Sequence, residues 1–79
     1  MRNDYRINCR QFGVAPHILE VTHFEGTNRD ANDAAALEWF YMVSDDPINR
    51  LNGLELERVD GPAQFTLLRS NGRQVNDHD

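Results

Sequence analysis

Cys9, His17 and His23 are the side chains here with the chemistry to ligate a soft metal or to pair a thiol nucleophile with a base. Positions 17 and 23 share strand parity, so one strand would project both from one face. Six residues of extended chain span roughly 20 Å, too far for the two imidazoles to meet on one ion. His78 sits in the C-terminal stretch, remote from both. Cys9 follows Tyr5 and Ile7 at every second position, which reads as an apolar strand face and not as the electropositive setting that activates a thiol. The five glycines are scattered, each beside turn residues, so no Gly-rich phosphate loop is formed. The thirteen acids show no recognisable acid–base pair. The expectation is a chain without catalytic residues, metal site or cofactor, and hence no enzyme.

Charge carries more information. All eight basic residues are Arg. Residues 1–10 hold three of them against Asp4, residues 11–49 hold seven acids against Arg29, and residues 50–79 hold five acids against four Arg. The middle of the chain is therefore the electronegative pole of a protein with net charge −5. Such a field repels nucleic acid and anionic membrane surfaces and attracts basic proteins. Arg2, Arg6 and Arg10 share strand parity as a basic stripe, but without the interleaved aromatics of a nucleic-acid reader. They read as a solvated face paired with the chain's own acids.

The stretch "DANDAAALEWFYMVSDD", residues 30–46, concentrates five acids and three consecutive aromatics and contains no base. Asp30 and Asp33 suit a helix start, where caps and the macrodipole favour negative charge. Asp46 suits the cap of a following turn. Glu38 falls mid-helix with no base three or four residues away, and Asp45 falls at the helix end, where negative charge is mildly unfavourable. Glu38 and Asp45, with Asp46 and Glu20 behind them, are therefore the candidate partner-binding residues.

Elements must position these groups. "YRINCRQF", residues 5–12, alternates as a half-buried strand, "GVAP" breaks it, and "HILEVTHF", residues 17–24, reads as a second strand joined to the first in a hairpin. Thr27 or Asp30 is the expected N-cap of a helix that places Ala36, Phe40 and Val43 on one face, with Leu37 and Trp39 flanking and Tyr41 and Met42 at the margins. Pro47 ends it near Ser44. Asp46, Pro47 and Gly53 mark one short extra turn. "LELERV" and "QFTLLR" are the third and fourth strands around a "DGPA" turn, and the Asn-Gly pair after them signals a possible brief fifth strand at "RQV", before a frayed "NDHD" tail. The reading is one α+β domain over residues 1–79, a small two-layer β-β-α-β-β fold with a mostly antiparallel sheet and one main helix on one face. Its expected core is Ile7, Leu37, Trp39, Phe40, Val43, Leu56 and Leu67.

At 79 residues such a domain buries only about 60% of the surface of its unfolded chain, so its stability is modest. No apolar run reaches the ~18 residues of a membrane span, and the first ten residues lack the apolar segment of a signal peptide. With one cysteine, a cytoplasmic setting is expected. "ALEWFY", Ala36 to Tyr41, is similar to a helix segment of small phage-encoded anti-CRISPR inhibitors, which this chain also resembles in size and acidity. The resemblance covers six residues and transfers no binding residue. It implies a protein of the bacterial host cell that occupies a Lys/Arg-rich surface of a CRISPR-Cas complex and keeps DNA out. Either a monomer or a homodimer fits. The alternative is a small structural or assembly subunit that pairs with itself through strand edges.

Overall fold

The computed structural model describes residues 1–11 and 13–73. Four strands form one antiparallel sheet: β1 (Arg2–Gln11), β2 (Val14–Glu25), β3 (Gly53–Gly61) and β4 (Gln64–Ser70). The order across the sheet is β2-β1-β3-β4, so the two hairpins join through their first strands and β1 and β3 form the central seam. One helix, α1 (Arg29–Asp45), lies across one face, and a short 3₁₀ turn, η1 (Pro47–Asn49), leads from it into β3. The α+β two-layer expectation therefore holds. Gln74 and Val75 of the suggested fifth strand, and the "NDHD" tail, lie outside the described residues.

The period-two pattern of β1 works as its sequence demands. Tyr5, Ile7 and Cys9 turn toward α1 and are buried, whereas Arg6 and Asn8 turn away and remain half-buried. Leu54 and Leu56 of β3 complete the sheet side of the core. From α1, Ala36 and Phe40 enter it, one turn apart, with Asn32 and Ser44 buried at the two ends of the same stripe. Leu37, Trp39 and Val43 pack against this core only in part.

Leu67 departs from the expected core. Its register partner is Glu57, on the face away from the helix, and it is exposed. The pairing of β3 with β4 slips by one residue between Leu56 and Glu57, and Leu68 is the β4 residue that packs on the core instead. A one-residue slip exchanges the faces of every side chain beyond it. Strand β2 also begins earlier than expected, at Val14, with Pro16 inside it. An edge strand tolerates a proline whose missing N–H would have faced outward.

The helix start differs as well. Asn28, not Thr27 or Asp30, is the N-cap, and its side chain accepts a hydrogen bond from Ala31 N at 2.8 Å. Buried Asn32 locks this end to the sheet. Its Oδ1 accepts from Gly26 N at 2.6 Å, and its Nδ2 donates to Met1 O and to Asn3 Oδ1. A Cβ on residue 26 would lie 2.6 Å from that same Oδ1, which is why glycine stands there. At the other end, Asn49 Nδ2 donates to Val43 O, and the Arg73 guanidinium donates to Ser44 O and Asn49 O. The helix has no base in its own last turn, so a cation from beyond β4 serves its carbonyl end.

Candidate partner-binding surface

The helix buries a narrow stripe, and its outward side is correspondingly wide. Glu38, Tyr41, Met42 and Asp45 stand at i, i+3, i+4 and i+7, which places them on one outward line along α1. All four are exposed, Tyr41 at 47% and Met42 at 75%. Neither Glu38 nor Asp45 has an ion pair or side-chain hydrogen bond among the described residues. Two unpartnered acids thus bracket two large apolar side chains that the fold leaves in water. Just beyond, Ile48 and Leu51 are exposed as well.

The remaining candidates stand differently. Asp46 is exposed but has a duty in its own fold: its Oδ1 accepts from Ile48 N at 3.1 Å and caps η1. Glu20 is exposed on edge strand β2, level with Ile7 of β1, on a different element from the α1 line. The structure therefore groups Glu38 with Asp45, sets Asp46 at the exit of the helix, and leaves Glu20 apart. Sequence periodicity placed the two acids correctly. It placed Tyr41 and Met42 only at the margin of an apolar arc, because the arc that is buried is narrower than the apolar residues would allow.

Asp33 also changes role. Beyond helping the helix start, it accepts from the buried Tyr5 hydroxyl at 2.7 Å and from Arg58 at 2.6 Å. Arg58 donates as well to Asp60 at 2.7 Å, and Thr66 Oγ1 donates to Asp60. Burial, then the hydrogen bond to Asp33, pushes the Tyr5 phenol well above its usual range. The hydrogen bonds from Thr66 and Arg58 hold the Asp60 carboxyl below the usual carboxylate range. This chain of charges ties α1 to β1, β3 and β4. No residue pattern announced it, because Arg58 sits in an alternating strand where its buried side reads as a defect.

Two of the three arginines of the basic stripe are engaged internally, while Arg10 is exposed and has no ion pair or side-chain hydrogen bond among the described residues. Arg2 bonds Asp4 at 3.1 Å and Arg6 bonds Glu57 at 2.8 Å, while the Arg6 guanidinium lies 3.5 Å above the centre of the Phe65 ring. Cys9 and His17 face each other across the β1–β2 register, yet Cys9 is fully buried and burial raises its thiol pKa, the opposite of what a nucleophile requires. A bulge in β2 breaks the shared parity of His17 and His23: the first is level with Cys9 and the second with Asp4. Among the described residues no group of three His, Cys, Asp or Glu is placed to hold a metal ion. No helix there is long and apolar enough to cross a membrane. Comparison with protein-family models, with curated proteins and with solved structures finds no match to this chain.

Proposed function

We propose that this chain is a non-enzymatic binding protein that uses the outward line of α1 to occupy a Lys/Arg-rich, phosphate-binding surface on another protein. The observation that carries this reading is the pairing of unpartnered Glu38 and Asp45 around exposed Tyr41 and Met42. Carboxylates held on a rigid helix offer a basic surface what phosphates offer it, and the apolar pair between them supplies the contact area that charge alone lacks. The target class that fits is a DNA-binding, RNA-guided complex of a bacterial host, in line with the anti-CRISPR inhibitors that the sequence resembles. Asp46 lies at the margin of this surface, and Glu20, on edge strand β2, stands apart from it.

The test is DNA displacement. Purified type I RNA-guided complex is incubated with this protein, and its binding to target DNA is measured at rising salt. Wild type should block DNA binding and lose potency as salt screens the attraction. Glu38→Arg with Asp45→Arg should leave the melting curve within about 0.5 kcal/mol of wild type, since both sites are exposed. It should abolish the block by setting like charges face to face. A complex that binds DNA normally at saturating protein rejects the target, and a folded double variant that inhibits as well as wild type rejects the surface.

A further inference from the structure

Among the described residues no element covers the sheet face turned away from α1, and the central rung of that face has a particular order across the strands. The register sets Val21, Arg6, Glu57 and Leu67 side by side on β2, β1, β3 and β4. Read across, that rung is apolar, basic, acidic, apolar. Val21 is 70% exposed and Leu67 55%. The neighbouring rungs read His23, Asp4, Val59, Phe65 and Ile18, Asn8, Glu55, Ser70, without that symmetry, and the Phe65 ring stacks on Arg6 of the central rung.

This order is complementary to its own reversal. A two-fold axis parallel to the strands, lying above the β1–β3 seam, turns each rung back on itself. It sets Val21 over Leu67 of a second copy and Arg6 over that copy's Glu57, and it does so twice. The charges at the centre are already neutralised within each chain, because Glu57 accepts from both Arg6 and Asn8 at 2.8 and 2.7 Å. Two such pairs stacked head to tail are satisfied on every side, the condition under which ion pairs withstand burial. Face-to-face sheets pack at about 10 Å with their strands aligned to within about 30°, so the match is best at this central rung. Four strands by about seven residues give roughly 450 Å² of footprint per copy and about 900 Å² in all, the size of a weak, transient interface. A partner of unrelated sequence would have no need of the palindromic order of this central rung.

We propose that the open sheet face is the interface of a two-fold homodimer, formed sheet to sheet and on the opposite side of the sheet from the α1 line. The dimer is of modest affinity, as its area implies, and each copy turns its helix outward.

Sedimentation across protein concentrations up to about 1 mM tests this directly. Wild type should pass from monomer to dimer. Val21→Glu and Leu67→Arg should each remain folded and raise the dimer dissociation constant at least about tenfold, because each places two charges against apolar partners. An equimolar mixture of the two variants should dimerise again, since one contact becomes Glu over Arg and the other stays Leu over Val. Should either variant fail to fold, Val21→Cys and Leu67→Cys proteins mixed under oxidising conditions should crosslink to each other faster than either does to itself. A wild type that stays monomeric at about 1 mM overturns the proposal. So does a single variant that dimerises like wild type, which would point to the strand edges. A mixture that stays monomeric, or equal crosslinking in all combinations, overturns it too.

Discussion

Phe40 and Leu67 are both large apolar residues in alternating or helical patterns, and they have opposite fates. Phe40 is fully buried in the core between α1 and the sheet, whereas Leu67 projects from the open face. Phe40→Ala should cost about 3–5 kcal/mol, a large part of the stability of so small a domain. Leu67→Ala should cost the monomer well under that, within about 1 kcal/mol. Chemical denaturation below the dimerising range checks both, and equal losses would contradict the core described here. Phe40 was legible because helical spacing defines a face whatever surrounds it. Leu67 was not, because the face of a strand residue depends on a bulge that leaves no mark in the pattern. The buried asparagines Asn32, Asn49 and Asn52 were also hidden, because nothing in the apolar periodicity marks a polar residue as buried.

At the scale of elements, helix and sheet are joined by a hydrophobic stripe and by the Tyr5–Asp33–Arg58 connection. The connection makes stability depend on alkaline pH. A phenol whose pKa is raised on folding contributes stability that is complete below its unfolded value, near pH 10, and is lost as pH rises beyond it. Cys9, raised by burial, acts in the same direction from its own lower starting point. All the basic side chains are Arg, so no lysine titration obscures this window. The unfolding free energy from chemical denaturation should stay level from neutral pH to about 8 and then fall, with a slope above pH 10 of up to about 1.4 kcal/mol per pH unit from Tyr5. Tyr5→Phe should remove that last component while costing some stability at pH 7, because Asp33 loses a donor. A profile for Tyr5→Phe that runs parallel to wild type above pH 10 would show that Tyr5 does not titrate in this way.

For the molecule as a whole, periodicity and turn residues were enough to read the α+β class, the four strands and the single helix. The order in which the two hairpins join was not readable, since each hairpin offers two edges and neither edge carries a distinct pattern. The two acids of the α1 line were legible singly, Glu38 from its lack of bases three or four residues away and Asp45 from its place at the helix end. The apolar pair between them emerged only once the width of the buried stripe was known. That order of strands has a kinetic consequence. Both hairpins close over short loops, but the β1–β3 seam sets Arg10 beside Gly53 and Asp4 beside Val59, across the entire helix. Closing it spends chain entropy before the core repays it, so the seam, and not the hairpins or α1, should limit the rate at which the chain folds. Stopped-flow refolding of Ile7→Val and Leu56→Ala should then show most of each lost stability as slower folding. Leu68→Ala, on the outer strand, should appear mainly as faster unfolding. The reverse assignment would move the rate-limiting event out to a hairpin and leave the seam to form afterwards.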